Sequence, residues 1–187
     1  MKKILVAVTG ASGAIYARQT IDLLTRIGEL EEIGVMVSRH GREVLAFEGE
    51  QLPARDPRIR FFDNDDLFAP PASGSADYDA MIVVPCSMGS VGRMAAGVSS
   101  DLIGRAADVM LKERRRLVLV VRETPLSTIH LRNLTLLSEC GAVVLPAAPS
   151  FYSRPQEIEA LCATVSQRIL RVLGLPVEGF RWGEERS

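Results

Sequence analysis

Residues 104–130 read GRAADVMLKERRRLVLVVRETPLSTIH, and the way this stretch divides decides the fold. Arg105 to Arg115 is built of alanine, leucine, methionine and paired charges, all favourable in a helix. Leu117 to Val121 is a short, β-branched apolar run, the pattern of a strand covered on both faces. Arg122-Glu123-Thr124-Pro125 then stands at the carboxyl end of that strand, the edge at which open α/β sheets bind ligands. Arg105 and Lys112 fall within about 20° of each other around a helix. One segment thus offers two cations on a helix face and an Arg-Glu pair at a strand end, a combination that suits a phosphorylated ligand and a proton transfer. A solvated charged helix ahead of a core strand would account for the KERRR run equally well.

Outward from this stretch the same alternation repeats. Upstream, Ile4 to Val8 reads as a first strand, Thr9-Gly10-Ala11-Ser12-Gly13 as a turn, and Ala14 to Arg26 as a helix with Ile15, Ile21 and Leu24 on one face. Strand, small-residue turn, helix is a phosphate-binding entry to a doubly wound sheet. Neither G-x-G-x-x-G nor G-x-x-x-x-G-K-[ST] occurs, which argues against a dinucleotide fold and a P-loop. Ile33 to Val37 is a second strand ending in Ser38-Arg39, where a dinucleotide site would want an acidic residue. Gly41 to Phe47 reads as a short helix ending near Glu48. Gln51 to Asp66 is a proline-broken loop with one brief strand at Ile59 to Phe62. Phe68 to Ser75 is expected to be a mobile small-residue loop over a site or at a subunit contact, or else a plain surface connection.

Ala80 to Val84 is the next strand, followed by Pro85-Cys86-Ser87-Met88-Gly89-Ser90, whose hydroxyls are placed to cap a helix or meet phosphate and ribose oxygens. Helices are predicted over Val91 to Ala96 and Asp101 to Arg115. Downstream, Pro125 opens a helix over Leu126 to Glu139 that Cys140-Gly141 ends. Ala142 to Leu145 is the last strand. Pro155 starts a final helix that runs to about Leu173 and carries Arg168 and Arg171. The tail, 176–187, holds Trp182, the only tryptophan. This pattern predicts one α/β domain over 1–187, a three-layer, doubly wound, mostly parallel sheet. The strand-end loops bring Ser12, Ser38, Ser87, Ser90, Arg122, Glu123 and Tyr152 to one edge. That edge is hydroxyl-rich and cationic, which suits a mononucleotide such as FMN with a second phosphate nearby.

Bulk composition narrows the classes. The chain has 187 residues, 47% hydrophobic and 24% charged, with a net charge of -1, so a globular domain is expected and a nucleic-acid footprint is not. The three cysteines, Cys86, Cys140 and Cys162, are widely spaced without a CxxC, and the two histidines, His40 and His130, are too few for a His-rich site. No disulfide framework and no metal site is expected. The apolar part of MKKILVAVTG is too short for a signal peptide, and no segment approaches the roughly 18 apolar residues of a membrane span. A cytoplasmic protein is expected.

TGASGA (9–14), VVPCSMGS (83–90), RAADVMLKERR (105–115), LVLVVRETPLSTIHLRN (117–133), GAVVLPAAPSFYSRP (141–155) and RWGEE (181–185) resemble, in order, the UbiX-type flavin prenyltransferases. The resemblance implies a flavodoxin-like, Rossmann-like fold, a dodecamer, and transfer of a dimethylallyl group from dimethylallyl phosphate to N5 and C6 of reduced FMN. The product would serve partner decarboxylases, such as those of ubiquinone biosynthesis and aromatic-acid breakdown. Flavin contacts would then fall at Gly10, Ala11, Ser12, Ser38, Ser87, Met88, Gly89, Ser90 and Arg122. Allyl-phosphate contacts would fall at Lys112, Tyr152 and Arg168, with Arg122 adjacent. Glu48 and Glu123 match family glutamates and become the candidates for proton transfer, with Ser12 beside them; Arg105 and Trp182 also fall on family positions. His40 and Gly41 depart from the smaller or apolar residues usual there, as does Ser99-Ser100-Asp101 from an Asn-containing turn.

Chemistry agrees with this placement. A prenyl phosphate is a poor electrophile until its leaving group is neutralised, which Lys and Arg clamps do and a tyrosine hydroxyl assists. The allylic cation needs shielding from water and a π face. No metal is required. Two other readings share the flavin site: an FMN storage or electron-carrier module, which would not need Lys112, Tyr152 and Arg168, and an FMN-dependent decarboxylase, for which His40 would be the only early histidine. His40 and His130 otherwise read as capping or packing residues.

Overall fold

A computed structural model describes residues 1–180 and Gly183. Six strands, β1 (Lys3–Val8), β2 (Glu32–Val37), β3 (Ile59–Phe62), β4 (Ala80–Cys86), β5 (Arg116–Val121) and β6 (Val143–Pro146), form one parallel sheet in the order β3-β2-β1-β4-β5-β6. Six helices connect them: α1 (Ala14–Thr25), α2 (Arg39–Glu48), α3 (Met88–Ala95), α4 (Leu102–Lys112), α5 (Thr128–Glu139) and α6 (Ile158–Val172). Without the short edge strand β3, the order becomes that of a flavodoxin-like sheet, as expected. The chain reverses its direction of winding between β1 and β4, and that switch point is where the carboxyl edge opens a crevice.

Continuous apolar runs make sense here because each strand is covered twice. Ile4, Val6 and Val8 pack with Ile21 and Leu24 of α1, Leu45 of α2 and Ile169 of α6. Their neighbours Leu5 and Ala7 face the other way, toward Val91 of α3, Met110 of α4 and Leu137 of α5. Alternate residues of one strand thus enter opposite cores.

Helix starts differ from the sequence expectation wherever a hydroxyl stands before the apolar run. Ser38 accepts a hydrogen bond from Gly41 N–H, so α2 begins at Arg39 rather than Gly41; Ser87 accepts from Ser90 N–H, so α3 begins at Met88 rather than Val91. Pro125 does not open α5: Ser127 and His130 form a reciprocal cap, and the helix begins at Thr128. The final helix begins at Ile158, not Pro155, because the chain first turns through Arg154 at φ 51°. α4 stops at Lys112 and not Arg115, because Arg114 takes φ 56° and redirects the chain into β5.

The 68–75 segment is not a loose flap. It forms two short 3-10 turns, Pro70–Ala72 and Gly74–Ala76. Arg105 Nε donates to Ala72 O at 3.0 Å and Arg115 Nη2 to Gly74 O at 2.9 Å, which ties it against α4. Among the described residues, no helix is long and apolar enough to cross a membrane.

Candidate active site

At the switch point, Thr9 stitches two loops together. Its N–H and Oγ1 donate to Pro85 O at 3.2 and 2.8 Å, while its Oγ1 accepts from Ser87 N–H at 2.9 Å. The loops after β1 and β4 are therefore held side by side. They border a polar cavity of about 490 Å³ lined by Gly10, Ser38, Ser87, Gly89 and Ser90. Ser38 and Ser87 spend acceptor capacity on capping Gly41 N–H and Ser90 N–H, at 3.0 and 3.3 Å; Ser38 keeps its proton to donate, and Ser87 shares a hydroxyl contact of 3.1 Å with Ser90. A side chain at Gly89 would meet nothing closer than 3.9 Å, so the backbone there is open to a ligand. The glycine of the His40-Gly41 departure has a packing cause, while His40 lines the cavity. A Cβ on Gly41 would lie 2.5 Å from Val8 O, and one on Gly10 would lie 2.5 Å from the His40 Cβ.

Asn64, Asp65, Arg39, Arg42 and Arg93 also line this cavity, and the sequence reading missed all five; Asp101 lines it too. Arg93 could have been found from its i+3 spacing to Ser90, had α3 been started at Ser87. Nothing in the sequence marks Asn64: its backbone O and Oδ1 accept from Leu102 and Ile103 N–H at 2.8 and 3.0 Å, closing the start of α4 from a loop far away in the chain.

Beside this cavity stands Glu48. The sequence predicts that the turn before α1 leaves its N–H groups free for phosphate, but the Glu48 carboxylate takes them, from Gly13 at 3.0 Å and Ala14 at 2.7 Å. Burial works to raise its pKa, but the Ser12 hydroxyl, these two N–H groups and the nearby Arg122 outweigh it, and Glu48 titrates below the usual carboxylate range. At neutral pH it is an anion anchored on a helix start. Nearby, Arg18 of α1 holds Glu50, just past α2, at 2.6 Å and Glu159 of α6 at 2.5 Å, which links the three helices.

Arg122 Nε donates to Ser12 O at 3.1 Å, which brings Ser12, Glu48 and Arg122 together from three elements. The expected Arg122-Glu123 pair does not form. Glu123 is exposed and its Oε1 accepts from the neighbouring Thr124 N–H at 3.1 Å. Both residues lie past the end of β5, where Arg122 turns to Ser12 O and Glu123 to its own neighbour's N–H. Cys86, adjacent to the serines, is fully buried, and burial pushes its thiol up to about 12, so it is inert at neutral pH.

Further along the edge, β6 and α6 border a second cavity of about 890 Å³, lined by Tyr152, Ser153, Arg168, Arg171 and Phe180 among others. Tyr152 is exposed and stacks on Phe180 with ring centroids 6.2 Å apart. Arg168 projects from the exposed face of α6. Within one chain, Arg105 and Lys112 do not join these residues. Arg105 is engaged by Ala72 O and by Asp108 at 2.7 Å, and Lys112 pairs with Glu113 at the amino edge of the sheet. The six residues of β5 separate Lys112 from Arg122 by about 20 Å. Trp182 lies outside the described residues. His130 is the α5 cap, with Nδ1 accepting from Ser127 N–H.

A family model described as Flavoprotein matches residues 1–170. The flavin prenyltransferase UbiX of Pseudomonas aeruginosa is 45% identical, with 98% of this chain and 95% of that protein covered. The chain belongs to the flavin prenyltransferase family. Among solved relatives, AnUbiX in complex with FMN and dimethylallyl pyrophosphate is 38% identical at a TM-score of 0.86, covering 96% of this chain and 99% of that one. A dodecameric FMN-dependent UbiX-like decarboxylase from Escherichia coli O157:H7 is 37% identical at a TM-score of 0.91, covering 97% and 100%. Against that family's chemistry, the polar cavity fits a flavin mononucleotide: it has hydroxyl donors, an open glycine backbone and cations, at a sheet switch point. Among the described residues there is no cluster of His, Cys, Asp and Glu that could hold a metal ion.

Proposed function

We propose that this chain transfers a dimethylallyl group from dimethylallyl phosphate to reduced FMN and releases a prenylated flavin for a partner decarboxylase. The observation that carries this reading is the order of features along one edge. A hydroxyl-lined cavity and a Tyr-Arg-lined cavity flank the Ser12, Glu48 and Arg122 cluster. A flavin carrier would need the first cavity alone.

When bound, reduced FMN supplies the N5 and C6 positions that the dimethylallyl group joins. Gly10, Ala11, Ser12, Ser38 and the segment from Ser87 through Met88 and Gly89 to Ser90 hold it, with Arg122 as the cation beside it. Tyr152 and Arg168 hold the phosphate of the allyl donor and neutralise it as it leaves. Arg105 and Lys112, remote within one chain, complete that clamp from a neighbouring subunit of a dodecamer, as does Trp182 in the tail. Glu48, already ionised and saturated with donors, balances the developing allylic charge and orients Ser12. Glu123, exposed at the same edge with one oxygen uncommitted, moves the proton that the second bond formation releases. The whole chain acts as one catalytic domain, in the cytoplasm, on behalf of decarboxylases of aromatic acids such as those of ubiquinone biosynthesis.

Mass spectrometry of the flavin after anaerobic incubation with reduced FMN and dimethylallyl phosphate tests this. A gain of one dimethylallyl unit is expected, and a flavin of unchanged mass overturns it.

A further inference from the structure

Arg93 has no part in the transfer described above, yet it faces the flavin cavity. It sits in the last turn of α3, where an arginine would ordinarily reach forward to the free carbonyls. Here it folds back toward the start of the helix. Nη2 donates to Ser90 Oγ at 3.3 Å, and Nη1 comes within 3.9 Å of where a Cβ on Gly89 would stand. Among the described residues, no carboxylate is ion-paired with it.

The neighbouring hydroxyls extend this contact toward the cavity. Ser90 is buried, with its Oγ 3.1 Å from Ser87 Oγ. A guanidinium only donates, so Ser90 Oγ receives from Arg93, which leaves the Ser90 proton available for Ser87 Oγ, 3.1 Å away. Ser87 Oγ already accepts Ser90 N–H at 3.3 Å, and a proton from Ser90 Oγ would fill its second acceptor position. Its remaining capacity is a proton to donate, and Ser87 lines the cavity. A hydroxyl free to donate, beside a guanidinium with no ion-pair partner among the described residues, suits anionic oxygens, although Asp65 and Asp101 stand elsewhere on the cavity wall.

We infer that Arg93 polarises the Ser90–Ser87 hydroxyl chain toward the cavity and supplies the cation for the phosphate monoester end of the flavin, so that it sets the preference for FMN over riboflavin. This rests on the reading that FMN occupies this cavity.

The test is titration of the wild type and its variants with FMN and with riboflavin, which lacks the phosphate, followed by flavin absorbance. Arg93→Ala, at an exposed position, should lower FMN affinity about 10-fold to 100-fold, the worth of a charge-assisted bond, and leave riboflavin affinity unchanged. Arg93→Lys should fall between, having the charge without the fork. Ser90→Ala should also narrow the preference, by breaking the chain. Equal losses for the two flavins would make Arg93 a mere wall of the cavity and overturn the inference, as would an unchanged FMN affinity. A wild type that binds neither flavin would instead remove the flavin reading itself, an outcome distinct from either Arg93 result.

Discussion

At the cavity between β1, β2 and β4, the hydroxyls of Ser38 and Ser87 are already oriented by backbone N–H groups, and Thr9 fastens the two loops that carry the ligand-facing residues. At the cavity between β6 and α6, Tyr152 and Arg168 stand exposed, and the stacking partner of Tyr152 comes from the chain's last described turn. The first region is pre-organised, so a ligand there loses little in ordering side chains. The second presents a cation and an aromatic hydroxyl on one side only, and the remaining candidates, Arg105 and Lys112, lie toward the other end of the molecule. A pre-organised cavity next to a one-sided one is what the proposed function expects if the second substrate is held only in an assembly. Between the two, Glu48 belongs to the built region and Glu123 to the open one.

The sharpest break in this comparison is Glu123→Gln. It should leave both ligands bound and slow prenylated-flavin formation by roughly 10²–10⁴-fold, the range for loss of a general acid or base. Single-turnover absorbance at saturating ligands reads it. A wild-type rate with weakened binding would make Glu123 a binding residue and return the proton to Glu48 or the departing phosphate.

Next in size, Arg168→Ala or Lys112→Ala should weaken use of the allyl phosphate by roughly 10-fold to 100-fold through one lost charge-assisted bond, with FMN affinity unchanged. Release of FMN by both variants would mean that these cations serve the wrong phosphate. The same pair tests whether the second cavity is shared. Subunits carrying Arg168→Ala, unfolded and reassembled together with subunits carrying Lys112→Ala, should recover part of the lost activity, because some interfaces then combine two intact halves. No recovery, or a monomer of about 20 kDa by light scattering, places the whole site in one chain.

The smallest effect concerns the built region. Glu48→Gln should cost about 1 kcal/mol of stability at neutral pH, the worth of a charged cap on a helix start. The pH dependence follows from its depressed pKa. The contribution is present above the unfolded carboxyl value of 4.5 and is lost as pH falls through the lower folded value. Thermal midpoints of the two proteins should therefore converge on acidification; parallel curves down to strongly acid pH would remove Glu48 from the cap.

Much of the ligand edge is legible in the sequence. Ser38 and Ser87 read as strand-end hydroxyls and are helix caps in the fold, and His130 reads as a capping residue and is one. What misleads is competition for the same backbone. The glycine turn before α1 looks like an open phosphate cradle, and only the approach of Glu48 across 35 positions shows its N–H groups to be taken. Likewise, adjacency in sequence suggests an Arg122-Glu123 pair, but in the fold Arg122 turns to Ser12 O and Glu123 to Thr124 N–H. Arg105 and Lys112 share a helix face, but that face runs along α4 toward the amino edge, so a common face does not mean a common site.

The sequence by itself determined the alternation of strands and helices, the parallel sheet and the identity of its ligand edge. Those depend on local periodicity and on runs of apolar residues, which are properties of short windows of chain. Tertiary structure decided which donors at that edge remain available: Glu48 against the α1 turn, Asn64 against the start of α4, Arg93 over Ser90, and the remoteness of Lys112. Each of these is a choice among partners brought together by folding, and it is made by burial and hydrogen-bond satisfaction once the chain has closed on itself.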